Sequence, residues 1–285
     1  LKFSIENLDK NNALYELMQG SGVIVIEDVF NLDIIQKARS IINDFADNQE
    51  QKESHFNAEA EASGKIQLQQ RVWNLFGKNL IFSELISHDI IFDLMSKFLG
   101  TEFCCGSYCA SRLLPGSLGQ ELHIDYPYWD YYKKESFPIG LNSSFPQNCQ
   151  ATIPLDDCSI QSGATGFIPG SQKNLHYPNK DDDLSEIQQM IGKPGDLIFF
   201  NGNCWHGAMP NKSDHQRAAL LIEFLPKYIK PVEDLVSYLE DEFKQNTSSR
   251  IKQLLGLNYE YPKIMDASKS VNKIGIGYKS KSKSK

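Results

Sequence analysis

The chain carries three residues whose types and spacing suit metal chemistry. His123 and Asp125 stand two positions apart in "ELHIDYPYW", and His206 follows 83 residues after the first histidine in "GDLIFFNGNCWHGAMPN". A His-x-Asp pair alone is weak evidence, since the chain has 6 His and 36 Asp and Glu residues. Two imidazoles and one carboxylate together, however, make the facial triad that holds Fe(II) and leaves coordination positions open. Open positions favour a site that takes a cosubstrate and O2 over a purely structural one.

A positively charged residue follows the second histidine at a spacing that suits anion binding. Arg217 lies 11 residues past His206 and opens the strand-like segment "RAALLIEF". A turn between the two strands would return Arg217 to the side of His206, where its guanidinium could hold a carboxylate through two hydrogen bonds. The pattern therefore suits a ligand that chelates metal at one end and carries an anion at the other. 2-Oxoglutarate has that shape.

The segments around these residues predict a mainly β protein with flanking helices. Short strand-like stretches separated by Pro, Gly and Asn fill residues 102–226, which is typical of a sandwich or barrel. They are "EFCCGSYCASRLL", "CQATIPLDD", "TGFIP", "DLIFF" and "RAALLIEFL". A short β-branched strand, "VIVIEDVF", precedes them. Helical periodicity appears in "NLDIIQKARSIINDFADN", with Asn31 as the N-cap, in "FSELISHDIIFDLMSKFLG", and after the core in "VEDLVSYLEDEF" and "SRIKQLLG".

Length and composition fit one globular domain over residues 1–277, followed by a disordered basic tail at 278–285. The net charge of −7, without a basic stripe in the body of the chain, argues against a nucleic-acid partner. No apolar stretch approaches the roughly 20 residues that span a bilayer. The six cysteines show no metal-type pairing and indicate reduced thiols, so we expect a cytoplasmic location. The oligomeric state is left open.

Three blocks of the sequence resemble those of one family. "HIDYPYW", "SGATGFIPGSQK" and "GDLIFFNGNCWHGAMPNKSDHQRAALLIEF" are similar, in that order, to blocks of the phytanoyl-CoA dioxygenase family of Fe(II)- and 2-oxoglutarate-dependent oxygenases. The resemblance covers roughly residues 20–226 and is sharp from about residue 104 onward. It implies a double-stranded β-helix core of the jelly-roll, cupin-like type. It also implies that His123, Asp125 and His206 bind iron and that Arg217 binds the distal carboxylate of 2-oxoglutarate.

Two further residues resemble cosubstrate ligands of relatives. They are Gln120, three residues before His123, and Thr152, on the next core strand. The chain departs from the family at Ala208, because many relatives carry Ser or Thr two residues after the distal histidine. That departure puts a second hydrogen bond to the distal carboxylate in doubt, and Thr152 is the predicted substitute. Plain hydrogen bonding within strands is the alternative role for both Gln120 and Thr152.

The resemblance implies a dioxygenase that hydroxylates a small molecule and releases succinate and CO2. Desaturation or ring closure with the same cofactors is an alternative outcome. Halogenation is disfavoured, because Asp125 fills the position that halogenases of this type leave vacant. A non-catalytic cupin-like binding protein is the alternative from another class. The identity of the substrate does not follow from the family, since the fold hosts many functions.

The segment after the metal pair is the predicted substrate side of the site. Tyr126, Tyr128 and Trp129 follow Asp125 directly, and residues 126–145 are predicted to form a flexible lid over the pocket. Arg112, one strand earlier, is predicted at the pocket floor as a cation for an acidic substrate. The alternative is that these aromatic residues form part of the core and that Arg112 is an exposed charge.

Overall fold

Two β-sheets form the centre of the protein. The computed structural model describes residues 1–48, 68–125, 146–174, 176–179 and 181–258. Within these ranges the strands are β1 (Lys2–Ser4), β2 (Val23–Glu27), β3 (Gln69–Val72), β4 (Cys104–Leu113), β5 (Cys149–Pro154), β6 (Thr165–Phe167), β7 (Gln188–Gln189), β8 (Leu197–Asn201), β9 (His206–Ala208) and β10 (Arg217–Leu225). The helices are α1 (Lys10–Met18), α2 (Leu32–Asn48), α3 (Leu80–Ile86), α4 (Asp89–Phe98), α5 (Asp241–Asn246) and α6 (Ser249–Leu254).

The larger sheet contains seven strands in the order β1-β2-β8-β5-β10-β4-β3, and the smaller one has the order β7-β6-β9. All neighbours in the larger sheet are antiparallel except β1 and β2, which are parallel. The smaller sheet packs on the inner face of the larger one, where Phe167 of β6 joins Val25, Ile198 and Phe200 in one apolar cluster. This arrangement confirms the prediction of a mainly β, jelly-roll core with flanking helices.

The larger sheet is buried on both faces. Along β10, Ala218, Leu220, Ile222 and Phe224 point to the outer face and belong to the large apolar core shared with the helices. Successive side chains of a strand point to opposite faces, so Arg217, Ala219, Leu221 and Glu223 share the inner face. The inner face is the one that positions the candidate site.

Most predicted elements agree with the structure. Helix α2 begins after Asn31, whose side-chain oxygen accepts a hydrogen bond from the backbone N–H of Asp33 at 2.7 Å, as an N-cap should. Gly100 follows α4 with a φ of +103°, a conformation that ends helices and that glycine adopts without strain. The strand predicted in "VIVIEDVF" is β2.

The predicted helix in "VEDLVSYLEDEF" is wrong over most of its length, because residues 232–239 form turns and only α5 is helical there. The first backbone N–H groups of this segment make tertiary hydrogen bonds instead of helical ones. Those of Val232 and Glu233 both donate to the Gly106 carbonyl oxygen of β4. The Glu233 carboxylate accepts hydrogen bonds from the backbone N–H groups of Tyr108 and Asn74. These bonds fasten the segment to β4 in a non-helical conformation.

No helix among the described residues is both long enough and apolar enough to cross a membrane. The predicted tail at residues 278–285 lies outside the described residues.

Candidate metal centre

Backbone pairing brings the two predicted histidines together. His123 lies on a single antiparallel bridge to His206, the first residue of β9. Each residue donates its backbone N–H to the carbonyl of the other, at 2.9 and 3.0 Å. Gly207 permits this approach, because a Cβ there would lie 2.8 Å from the Glu121 carbonyl oxygen. The backbone at Asp125 is held in place by a hydrogen bond from its N–H to the Gly202 carbonyl oxygen, at 3.1 Å.

The three side chains converge on one point. One ligating atom from each of His123, Asp125 and His206 lies within 4.8 Å of the other two. The Asp125 carboxylate oxygens lie 3.2 Å from Nε2 of His206 and 3.7 Å from Nε2 of His123. His206 is the most enclosed, with 7% of its side chain exposed, against 18% for His123 and 19% for Asp125. The prediction that these residues lie together is confirmed.

The histidine rings are oriented by the backbone. Nδ1 of His123 lies 2.8 Å from the Glu121 carbonyl oxygen, and Nδ1 of His206 lies 2.8 Å from the Cys204 carbonyl oxygen. Carbonyl oxygens only accept hydrogen bonds, so each Nδ1 donates a hydrogen bond to its carbonyl oxygen, and each Nε2 is the nitrogen directed at Asp125. Metal-binding histidines are oriented in the same way.

Electrostatics also prepare the triad for a cation. Burial, and then the charge of His206, lower the pKa of His123 to about 4, so its imidazole is neutral at pH 7. Burial would raise the pKa of Asp125, but the charge and hydrogen bond of His206 outweigh it and hold this pKa below its usual value. In His206 burial would lower the pKa, and Asp125 outweighs it and raises the pKa. A divalent cation between the three groups would replace the proton that Asp125 and His206 hold between them.

The donor set fits Fe(II). Two imidazole nitrogens and one carboxylate are the ligands of the facial triad, whose remaining positions stay open. Thiolate ligands do not compete here, although Cys109 of β4 lines the same cavity. Burial raises the pKa of Cys109 to about 11, so it stays a neutral thiol at pH 7. All six cysteines are buried and free.

A cavity of about 250 Å³ contains the triad. It is lined by inner-face residues of β3, β4, β5, β8 and β10, by Thr165 of β6, and by the segment that leads into the metal pair. Gln120 and Thr152, the predicted cosubstrate ligands, both line it. The side-chain oxygen of Gln120 accepts a hydrogen bond from the backbone N–H of Ala208 at 3.1 Å. Gln120 therefore contacts Ala208, the position at which many relatives carry Ser or Thr.

Arg217 is a buried cation on the same inner face. Its side chain is 3% exposed, and its Nη2 donates to the Gly163 carbonyl at 2.6 Å. In the part of the chain that the structure describes, its Nε has no hydrogen-bond partner and no carboxylate lies within ion-pairing distance. This burial in a poorly solvated place lowers the pKa of the guanidinium. A buried charge of this kind is costly unless an anion pairs with it.

Arg112 does not lie at the pocket floor, contrary to prediction. On β4 it points to the outer face and is buried there against α2. Its guanidinium donates to Asp47 at 2.5 Å, to Gln70 at 2.6 Å and to Asn43 at 3.4 Å. Strand alternation places Arg112 on the side opposite to Cys109, which lines the cavity. Arg112 therefore joins β3, β4 and α2.

Replacing Arg112 with alanine is expected to lower the free energy of unfolding by about 1–3 kcal/mol, because Asp47, Gln70 and Asn43 lose a shared donor. Denaturant unfolding measures this loss. Lys2→Ala is the control: it removes the largely exposed ion pair with Glu27 and should cost less than about 1 kcal/mol. If Arg112→Ala kept wild-type stability but lost product formation, Arg112 would instead belong to the substrate pocket.

The predicted aromatic residues Tyr126, Tyr128 and Trp129, and the predicted lid at residues 126–145, lie outside the described residues. Eleven of the residues that line the cavity were missed from the sequence, among them Gln150, Glu223, Arg71, Trp73 and Thr165. Gln150 and Glu223 had a signal, since strand alternation puts them on the same faces as Thr152 and Arg217. No comparable pattern in the sequence marks Arg71, Trp73 and Thr165 as cavity residues.

Comparison with known proteins agrees with this geometry. A sequence model of the family described as "Phytanoyl-CoA dioxygenase (PhyH)" matches residues 18–219. Among curated relatives, "Dioxygenase FrzG" from Cladobotryum sp is 24% identical over 272 residues, which cover 88% of this chain and 86% of that protein.

Solved structures share the fold. The non-heme α-ketoglutarate-dependent epimerase SnoN from nogalamycin biosynthesis superposes with a TM-score of 0.59 at 15% identity, covering 85% of this chain and 94% of SnoN. HygX from Streptomyces hygroscopicus, solved with nickel, 2-oxoglutarate and hygromycin B bound, gives a TM-score of 0.57 at 14% identity. The HygX match covers 79% of this chain and 90% of HygX.

Proposed function

This chain belongs to the phytanoyl-CoA dioxygenase family, and from that premise we propose that it is an Fe(II)- and 2-oxoglutarate-dependent dioxygenase that hydroxylates a small molecule. Succinate and CO2 are the expected co-products. The observation that carries the proposal is the convergence of His123, Asp125 and His206 beside a cavity, with Arg217 buried on the same inner face. Among the solved neighbours, SnoN has been solved with Fe3+ and α-ketoglutarate (another name for 2-oxoglutarate) bound, and HygX with nickel and 2-oxoglutarate bound.

Each residue has a defined task in this proposal. His123, Asp125 and His206 hold the iron, and when bound, iron and 2-oxoglutarate supply the oxidation chemistry. Arg217 pairs with the distal carboxylate of 2-oxoglutarate and so offsets the cost of its own burial. Gln120 and Thr152 supply hydrogen bonds that orient the cosubstrate.

Apolar side chains form part of the cavity wall and reduce the access of water to the reacting groups. Phe200 packs against His206 with a ring separation of 4.6 Å, and Leu221 and Trp73 also line the cavity. Apolar walls around a small number of polar groups are typical of small-molecule sites. Exclusion of water also strengthens every electrostatic interaction inside the site.

Succinate release tests this function. Metal-free protein reloaded with Fe(II) without O2 is expected to convert 2-oxoglutarate to succinate when O2 is admitted, and faster when a panel of small molecules includes a substrate. Mass spectrometry of the stimulating compound then separates the outcomes. Hydroxylation adds one oxygen atom, desaturation or ring closure removes two hydrogen atoms, and epimerisation leaves the mass unchanged. If no succinate forms above the metal-free control, the protein is a cupin-like binding protein instead.

A further inference from the structure

One apolar residue marks the place where the cavity of the metal centre opens. Val232 lines this cavity although the residue is 54% exposed. Among the lining residues within the described ranges, it is the only one that is largely exposed. A residue that contacts both the cavity and the solvent lies at the boundary between them. Val232 therefore lies at the mouth of the cavity.

A second apolar residue, Trp73, lines the same cavity and is half-buried. It follows β3, the edge strand of the larger sheet. Val72 belongs to the large apolar core on the outer face, so strand alternation directs Trp73 to the inner face. Asn74 then adopts a left-handed conformation, with φ 55° and ψ 54°, which asparagine tolerates better than most residues. This sharp turn ends the extended segment directly after Trp73.

One carboxylate holds both residues in place. Oε1 of Glu233 accepts a hydrogen bond at 3.0 Å from the N–H of Asn74, and this N–H belongs to the peptide bond that joins Asn74 to Trp73. Oε2 of Glu233 accepts two hydrogen bonds from β4, at 2.9 and 3.1 Å. The backbone N–H of Val232 donates to β4 as well, at 3.1 Å. Trp73 and Val232, hereafter the rim, are thus both fastened to β4 around Glu233.

The rim takes no part in the apolar core of the described residues. Val72 and Leu235, which are close to the rim in sequence, both belong to the large apolar core. In contrast, neither Trp73 nor Val232 belongs to a buried apolar cluster of the described residues or packs against one. Their apolar surfaces are therefore available at the cavity. A bound molecule with an apolar group would bury that surface and gain affinity from doing so.

We propose that the rim determines substrate specificity by binding a flat apolar group of the substrate, such as an aromatic ring. This inference rests on the proposed function, because the reacting carbon of the substrate then lies at the metal centre while its apolar group lies against Trp73 and Val232. Glu233 is a positioning residue, which acts on the substrate only through the two residues that it holds. A substrate without an apolar group leaves the rim in water and binds more weakly.

Two metal-binding probes that differ by an aromatic ring test the proposal without turnover. Co(II)-loaded protein with 2-oxoglutarate is titrated with 1-methylimidazole and with 1-benzylimidazole, and the visible absorption of Co(II) reports their binding. The benzyl compound is expected to bind about 10-fold or more tightly, because its ring packs on the rim. Trp73→Ala should bring this ratio close to one, and Trp73→Phe should retain most of it. Tyr238→Ala is the control and should keep the ratio, since Tyr238 is 75% exposed and lies outside the described cavity lining.

A further variant tests the positioning role. Glu233→Ala should lower the ratio while leaving the affinity for 1-methylimidazole unchanged, because this variant frees the rim and does not touch the metal ligands. Glu233→Gln keeps one acceptor oxygen and should restore part of the ratio. A wild-type ratio in Glu233→Ala would show that Glu233 does not position the rim.

The outcomes separate this inference from the proposed function. Failure of the Co(II)-loaded protein to bind 2-oxoglutarate overturns both. Binding of 2-oxoglutarate without a preference for the benzyl compound, or without binding of either imidazole, overturns only the role of the rim. A preference that survives in folded Trp73→Ala also overturns it. If that variant does not fold, Val232→Ser at the exposed position provides the second measurement, and an unchanged ratio then contradicts the proposal.

Discussion

Asp125→Ala is expected to abolish Fe(II)-dependent succinate formation. Asp125 supplies the only carboxylate of the triad in the described part of the chain, and its oxygens lie 3.2 and 3.7 Å from Nε2 of His206 and His123. Without it, two neutral imidazoles would have to hold a divalent cation with no negative charge beside it. The loss should exceed the roughly 10- to 100-fold that follows from removing a residue which only orients a metal ligand.

Two measurements check the Asp125 prediction. Anaerobic titration with Fe(II) gives the metal affinity, and succinate formation gives the turnover. Asp214→Ala is a matched control, since Asp214 also lies beside a histidine, at 3.0 Å from Nε2 of His215, but both side chains are exposed. This control should keep full metal affinity and turnover. Wild-type turnover by Asp125→Ala would show that the triad is not the iron site.

Arg217→Ala is expected to weaken 2-oxoglutarate binding by about 30-fold to several thousand-fold, equivalent to about 2–5 kcal/mol. The guanidinium is buried, donates to the Gly163 carbonyl, and has no carboxylate partner among the described residues. A ligand carboxylate would supply that missing partner. Fe(II) affinity should change much less, because Arg217 is not one of the three converging ligands.

Titration of 2-oxoglutarate into Ni(II)-loaded protein measures this effect directly. Arg217→Lys keeps the positive charge but loses the planar pair of donors, so its affinity should fall between wild type and Arg217→Ala. Arg250→Ala is the control, since it removes an arginine that pairs with exposed Asp89 at 2.6 Å away from the cavity. Equal affinity for 2-oxoglutarate in wild type and Arg217→Ala would place the cosubstrate elsewhere.

The convergence of His123, Asp125 and His206 was predictable from the sequence because these candidate metal ligands are marked by residue type and by position. His123 and Asp125 are two residues apart, so one short extended segment delivers both, and His206 follows a strand that its apolar run already predicts. The strands themselves followed from runs of β-branched and aromatic residues between turn residues. These features depend only on residues that are near one another in the sequence, and the folded structure retains them.

Which face of each strand meets the cavity was decided only by the tertiary structure. Alternation separates Arg112 from Cys109, but β4 is buried on both sides, so its pattern of apolar residues does not say which face meets the cavity. Packing of the helices against one face and of the smaller sheet against the other settles this, and it sends Arg112 to Asp47 of α2.

Two other features also depended on partners distant in sequence. The short polar strand β3, "QQRV", forms by pairing with β4, and it carries Arg71 to the cavity. The segment after Pro231 has a helical pattern, yet its backbone N–H groups donate to Gly106 and its Glu233 carboxylate binds the N–H of Tyr108. A sequence pattern reports only what neighbouring residues prefer, whereas these contacts join residues more than 35 positions apart, and their free energy outweighs the local preference.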